Sequence, residues 1–481
     1  MCRHLHALSQ ASWMSRNTRF LSGAARFCND ALFVASARLG RVATIVILLS
    51  FISNVTRGQS AYLIGLGHLD PNFDVSYAFG VSADGMVVTG ESSRPNFQTE
   101  AFQWTMERGI VGMGYRSSDG HCVSGDGRVI VGGVSPGEAY YWIPGVEFYR
   151  MGDLPGGSFS SKAWGADWEG AVIVGSASSE RSRNIEAFIW TSQDGMVGLG
   201  GLDPNHIYSL ASGISSDGTI VVGKTRSPET QVAFRWTAEE GMHELSRSEK
   251  WGWHQAQGIS PDGSVIVGYG YYNDLGYDAF RWTEEEGMTA LGVLDETPFK
   301  YQGRAEDASV RGWIIVGWSD EDDGRKAVVW TPRRGILRLG ELLANDFGVD
   351  LGTWEMYSGF AVSYDGKTIV GEGWHFENGE GITEGFLVRI PCIDDCDRCS
   401  FRERMTGTCK PRGDGTVKVI AKLSGGRVGA TLTFCLDYYK AFAEATVNED
   451  GRAKARFKRL PPGPHHLTLK ECDAPADVGC E

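Results

Sequence analysis

Five aspartates sit in one setting, Ser-x-Asp-Gly: Asp84, Asp126, Asp217, Asp262 and Asp365. A carboxylate two residues after a hydroxyl can ligate a hard cation, which wants clustered oxygens on a bendable backbone. It can also close a tight turn by accepting backbone N–H groups, with the glycine taking a positive φ. Repetition of the phrase favours the turn. The run Asp320-Glu-Asp-Asp-Gly324 is denser and makes Asp320, Asp322 and Asp323 the calcium candidates. No other cofactor is expected. Gly133-Val-Ser-Pro-Gly137 spells a nucleophile elbow, but that motif needs a strand before it and a helix after it. Here both flanks read as strands. The chain holds no H-E-x-x-H, no P-loop and no dinucleotide fingerprint. Cys392, Cys396, Cys399 and Cys409 have near-zinc spacing. Behind a secretion signal the same spacing reads as disulfides.

The other side chains with chemistry to offer are aromatic. Segments 70–77, 203–210, 246–255, 294–304 and 343–358 are unlike one another and carry Tyr77, His206, Tyr208, Trp251, Trp253, His254, Tyr301 and Trp354. Aromatic rings with Asp and Asn on one rigid face suit a glycan or a protein ligand. The competing reading is that these segments pack on themselves. An enzyme would instead need His206, His254, Asp203 and Asp295 to converge on one point.

Such residues need a frame, and the frame is a repeat. The phrase Ala233-Phe-Arg-Trp-Thr237 recurs as Ala279-Phe-Arg-Trp-Thr283. It closes a longer unit: S-x-A-x-G-V-S, then D-G, then a Val/Ile run ending in glycine, then A-F-x-W-T, then G-M-x-x-L-G. The closing glycines are Gly90, Gly132, Gly175, Gly223, Gly268, Gly317 and Gly371. Trp104, Trp142, Trp190, Trp236, Trp282 and Trp330 stand 38, 48, 46, 46 and 48 residues apart. Each unit reads as four short strands, with Asp-Gly turning the first hairpin. No stretch has helical periodicity. A four-stranded unit repeated seven times predicts a seven-bladed β-propeller over 61–390. Residues 62–69 read as a fourth strand, so Tyr62–Leu66 is expected to pair with Phe386–Ile390 and close the ring. An aromatic in nearly every A-F-x-W-T phrase reads as packing rather than as a site.

This wording resembles the extracellular HAF repeat of bacterial proteins over about residues 62–390. The resemblance implies a secreted repeat protein with no assigned reaction. Copies two, three and six depart most from the unit, with Trp168-Glu169 and Val310-Arg311 in place of the usual turn residues.

The ends differ from the repeat. Residues 1–60 form a targeting segment: the first 58 hold seven Arg and one acidic residue, Asp30, ahead of an apolar run at 43–52. That run suits a signal peptide with an extended n-region, cleaved before Ala61. No transmembrane helix is expected after cleavage. Residues 391–413 read as a Cys-rich linker and 414–481 as a small β-sandwich, whose L-P-P-G turn at 460–463 resembles those of appended modules. Seven of ten cysteines lie beyond residue 391; Cys122 stands alone in the repeat. Arg452, Lys454, Arg456 and Lys458 alternate with Ala453, Ala455 and Phe457. They suit an edge guard, or a grip on an anionic polymer.

Charge excludes one class of partner. Residues 59–390 hold 24 basic and 46 acidic residues, a net −22. So acidic a surface is a poor nucleic-acid binder, because phosphate contacts supply most of that affinity. The sequence therefore predicts an all-β chain, a seven-bladed β-propeller followed by a small cysteine-containing β-sandwich. Its expected role is a monomeric, non-enzymatic binding or structural module, secreted or in the cell envelope. An extracellular enzyme acting on carbohydrate or peptide at the axis is the alternative.

Overall fold

A computed structural model describes residues 61–480, apart from 159, 206, 228, 274, 296–301, 378, 392, 394–403, 414–415, 425–427, 437–440, 461 and 470–475. The targeting segment, His206, Tyr301 and about half of the Cys-rich linker lie outside these residues.

Among the described residues, 62–389 form seven four-stranded antiparallel sheets. Their first strands are Ser76–Val81, Ser118–Val123, Ser161–Ala166, Ser209–Ile214, Trp251–Ile259, Gly303–Ala308 and Glu355–Val362. These define sheets 1 to 7. Each first strand lies against the first strands of the two neighbouring sheets, and that of sheet 7 lies against that of sheet 1. The contacts therefore run in a closed ring with the first strands innermost. The seventh sheet takes its fourth strand from the start of the repeat region. Tyr62 pairs with Arg389, Leu63 with Val388, Ile64 with Leu387 and Gly65 with Phe386. Leu66 N–H adds a bond of 2.9 Å to Gly385 O.

The repeated phrase is scaffold, letter by letter. Ser82 Oγ donates to Asp84 Oδ1 at 2.6 Å and accepts from Val87 N–H at 2.9 Å, while Gly85 takes φ +74°. The equivalent pairs Ser124–Asp126, Ser215–Asp217, Ser260–Asp262 and Ser363–Asp365 do the same. These aspartates are spent on turns. The serine that opens the first strand of sheets 1 to 4 bonds the sheet before it. Ser118, Ser161 and Ser209 accept from the N–H of Ala101, Ala139 and Ala187 at 2.9–3.0 Å. That explains both the Ser of S-x-A and the Ala of A-F-x-W-T. Phe102, Phe188, Phe234, Phe280 and Phe386 fill the gaps between sheets and are fully buried.

The closing glycines have a steric cause. Each first strand carries a bulge, between Ala78 and Gly80 in sheet 1. The bent strand presses its carbonyl onto the second strand. A Cβ on Gly90 would sit 1.8 Å from Tyr77 O, and one on Gly223 would sit 1.9 Å from Leu210 O. No side chain fits there.

One connection departs from the sequence reading. Leu339–Asp346 coils into a short helical segment between sheets 6 and 7, burying Leu339, Leu342 and Leu343 at helical spacing. The aromatic segments are also less loop-like than expected. Tyr77, Trp251, Trp253 and His254 belong to first strands.

Beyond residue 400 two further sheets share one core. Arg404–Pro411, Val417–Ser424 and Ala453–Leu460 form one; Ala441–Thr446, Thr431–Leu436, Gly463–Leu469 and Ala476–Cys480 form the other. Val419, Leu423, Phe434, Phe457 and Leu467 meet between them. Lys367, on the seventh turn of the ring, donates to Leu469 O at 3.2 Å and ties this module to sheet 7.

Candidate functional site: the lining of the ring

Two letters of S-x-A-x-G do not repeat. The first variable position holds Tyr77, Asp119, Lys162, Leu210, Gln255 and Arg304 in sheets 1 to 6, with Ser358 the matching residue of sheet 7. The second holds Phe79, His121, Trp164, Ser212, Gln257, Glu306 and Phe360. In every sheet this second residue is the one the bulge leaves unpaired. A bulge re-aims its side chain. Here seven bulges aim seven side chains inward.

The contacts show where they meet. Phe79 touches Phe360 of sheet 7 and His121 of sheet 2, with ring centroids 5.4 and 5.3 Å apart. His121 stacks at a tilt on Trp164 of sheet 3 at 4.3 Å. On the far side Ser212 Oγ donates to Ala256 O at 2.9 Å, and Gln257 Nε2 to Glu306 Oε2 at 3.1 Å. One side of the belt is aromatic and the other amide and carboxylate.

The layer above carries charge of both signs. Lys162 Nζ lies 2.9 Å from Asp119 Oδ2, and His121 Nε2 lies 3.2 Å from Asp119 Oδ1. Burial alone would raise the Asp119 carboxyl, but His121 and Lys162 hold it down at about 2. Burial lowers His121, so its imidazole is neutral at physiological pH. Glu91, on the second strand of sheet 1, is raised by burial and by Asp119. Across the ring Arg304 pairs with Glu306 at 2.8 Å and lies 4.6 Å over the Tyr269 ring. Arg325 lies 3.9 Å over Trp318, whose indole donates to Glu306 at 3.2 Å. Lys224 reaches Gln255 Oε1 at 3.3 Å, and burial followed by Arg304 lowers its ammonium. It has no carboxylate partner among the described residues.

The residues expected from sequence separate into two groups. Tyr77 belongs to the lining, stacked on Phe79 at 5.9 Å. Trp253 packs on Tyr269 and Tyr277 at 5.6 and 5.4 Å, next to Arg304. Trp251 and His254 instead lie inside the wall. Trp251 is 2% exposed, against Phe280. His254 is fully buried and its Nδ1 accepts Ala233 N–H at 3.0 Å. It does the work that serine does elsewhere in the ring, so it cannot meet a substrate. Tyr208 lies in the connection into sheet 4, where its carbonyl accepts Arg226 N–H at 3.0 Å. Trp354 stacks on His375 at 4.1 Å, and His375 bonds Glu384, which in turn accepts Gly67 N–H. That group braces the closing strand. Asp320 faces Arg325 at 3.7 Å, and Asp323 faces Lys326 at 3.0 Å. Among the described residues no three His, Cys, Asp or Glu side chains converge to hold a metal ion.

Sequence reasoning passed over Asp119, His121, Lys162 and Glu306. Their signal was present as the unspecified letters of the consensus. A residue that a repeat leaves free in every copy, at one fixed place on an inner strand, is a lining position.

A second concavity of about 1030 Å³ lies on the opposite face, between sheets 4 and 5. The two near-identical A-F-R-W-T phrases line it. Their arginines are already paired, Arg235 with Glu240 at 2.8 Å and Arg281 with Glu286 at 2.5 Å.

These features define the class: an all-β protein of four-stranded antiparallel sheets, ringed about a lining built from variable positions. No known family matches the chain, and no curated protein does. Solved structures similar to it include an oligogalacturonate lyase in complex with manganese, 11% identical, with a TM-score of 0.46, covering 68% of this chain and 93% of that one. Another oligogalacturonate lyase, from Vibrio parahaemolyticus, is 10% identical, with a TM-score of 0.46, covering 69% and 98%. A putative TolB from Agrobacterium tumefaciens is 15% identical, with a TM-score of 0.32, covering 45% and 80%.

Proposed function

We propose that residues 61–390 are a seven-bladed β-propeller of HAF-type repeats followed by a small β-sandwich. In this reading the chain is a secreted or cell-envelope binding module, without enzymatic activity, that seats a glycan or protein ligand at the axial mouth. One observation carries the proposal. Every position that the repeat holds constant is consumed by turns, seams and packing. The positions it frees all line the ring, and they carry aromatic rings and charges of both signs. Stacking faces beside fixed donors and acceptors are what sugar and peptide recognition needs. Lys224 supplies a cation that no carboxylate neutralises among the described residues.

The test is a glycan and peptide array probed with the secreted chain and with a Trp164→Ala/Lys224→Gln double variant. Binding to a defined ligand that the double variant loses supports the reading. Array binding that the variant keeps, or no binding at all, overturns the assignment of the site.

The Asp119–His121 pair favours a second reading, an enzyme at the same mouth. A carboxylate beside a neutral imidazole is a general-base arrangement. Turnover of an array ligand, abolished by His121→Gln, would select it over simple binding.

A further inference from the structure

The chain has a formal net charge of −14, yet one face of the C-terminal module carries six cations. Strand alternation sends Val417, Val419, Ala421 and Leu423 into the core and leaves Lys418 and Lys422 on the other face. On the neighbouring strand Ala453, Ala455 and Phe457 point in and Lys454, Arg456 and Lys458 point out. Register then sets like charge against like. Lys410 pairs with Lys418, Lys418 with Lys458, and Lys422 with Lys454. Cross-strand pairs of like charge destabilise a sheet. Desolvation, then Arg456, Lys458, Lys410 and Lys454, hold the Lys418 ammonium below the usual lysine range. None of these six side chains forms an ion pair among the described residues.

Edge protection does not explain the pattern. Charges on Ala453–Leu460 guard an edge, because that strand ends its sheet. Lys418 and Lys422 stand on the central strand, which has a partner on each side. A guard is of no use there. Repulsion kept at the centre of a small sheet calls for a counter-charge from outside.

We infer that this face docks a linear anionic polysaccharide. Alternate residues on a strand lie about 6.7 Å apart and neighbours across strands about 4.8 Å. Lys454, Arg456 and Lys458 thus make a straight column, flanked by Lys418 and Lys422, that follows an extended chain of regularly spaced acidic groups. Five of the six cations are lysines, hydrated point charges suited to carboxylate or sulfate groups in many orientations. Thr406 and Thr408 add exposed hydroxyls on the third strand. Nucleic acid is disfavoured because, among the described residues, the face has no aromatic side chain for a base to stack on. A bilayer is disfavoured because, among the described residues of these three strands, no exposed large apolar side chain stands beside the lysines; Ile420, between them, is buried. This site is separate from the axial mouth and does not depend on it.

The experiment uses the full secreted chain and measures binding to alginate by calorimetry at rising salt. Neutral dextran, a 30-base-pair DNA duplex and vesicles containing phosphatidylserine run in parallel. The expected result is alginate binding that weakens with salt, and no dextran binding. A K418Q/K454Q/R456Q/K458Q variant should lose at least about 10-fold in affinity and show a shallower salt slope. The variant should melt no lower than the parent, since it relieves repulsion. If it fails to fold, the single charge reversal Arg456→Glu replaces it. Three results would overturn the inference: no alginate binding by the parent, equal binding by a folded variant, or tighter binding to duplex or vesicles than to alginate.

Discussion

Lys162 Nζ stands 2.9 Å from Asp119 Oδ2, across the seam between the second and third sheets of the ring. Both residues occupy the same variable position of consecutive repeats. The pair therefore crosses the boundary between repeats at a position that the phrase leaves free. It keeps a carboxylate ionised in a half-buried wall, beside an imidazole that burial holds neutral.

Replacing Lys162 by Met should release that carboxylate. The Asp119 pKa, about 2 in the parent, is expected to rise, because burial then acts with one fewer opposing charge. NMR titration of the Asp119 carboxyl reads the shift directly. An unmoved titration would show that the ammonium contributes nothing in solution.

His254 makes the ring acid-sensitive. Burial, with a smaller part from Arg247, lowers its pKa from 6.5 to about 3. The folded state thus binds fewer protons than the unfolded chain, and stability falls as pH drops below 6.5. The loss is about 3 kcal/mol by pH 4. His254→Ser restores the residue used at this seam elsewhere, so it should keep the neutral-pH melting temperature and flatten the acid limb. His254→Ala leaves Ala233 N–H unpaired and should cost about 1–3 kcal/mol at neutral pH. Melting curves at several pH values check all three.

Asp307 acts in the other direction. It occupies the place that glycine holds in most first strands, half-buried, and burial raises its pKa from 3.8 to about 6. Its carboxyl accepts Val362 N–H at 3.0 Å and Ala308 N–H at 2.8 Å. With a raised folded-state pKa, its stabilisation is complete below pH 3.8 and is lost as pH rises through 6. The loss is about 3 kcal/mol. Asp307→Asn keeps an acceptor without the charge. Its stability should exceed the parent's at pH 8 and match it near pH 4, read by denaturant midpoints.

Two glycines should respond very differently to alanine. Gly223→Ala puts a methyl 1.9 Å from a backbone carbonyl that cannot yield, so the cost should reach or exceed about 3 kcal/mol. Gly241 has φ +79° and open space around it. There alanine pays only for the left-handed backbone, about 1 kcal/mol. Comparing the two melting temperatures separates collision from conformational strain.

The repeat was legible because its constant letters are each fixed by one local demand: φ > 0 after Asp, a missing Cβ against a bulge, a hydroxyl at a seam. The register of Tyr62–Gly65 on Phe386–Arg389 followed from the same phrase. The lining was not read, because a free letter carries no pattern of its own. Asp119 and Lys162 stand 43 residues apart, and only the ring brings them together. His254 misled for a related reason. It stands in an aromatic-rich segment, but its place in the unit is that of Ser118 and Ser161, and the repeat had already assigned that place to a seam. The helical segment at Leu339–Asp346 escaped because it is shorter than a periodicity can show.

The strand Tyr62–Gly65 must wait for its partner. About 320 residues separate it from Phe386–Arg389. At ribosomal speeds of about 5–20 residues per second, that is roughly 15–65 seconds during which the strand has nothing to hold. Until the last repeat has emerged, sheet 7 has not formed and the edge of Tyr62–Gly65 stays open. A chain that stops short of Gly385 exposes that edge permanently and offers it to any other unfinished copy. The latch is therefore also a checkpoint: only a chain carrying both ends of the ring can hide its own adhesive edge.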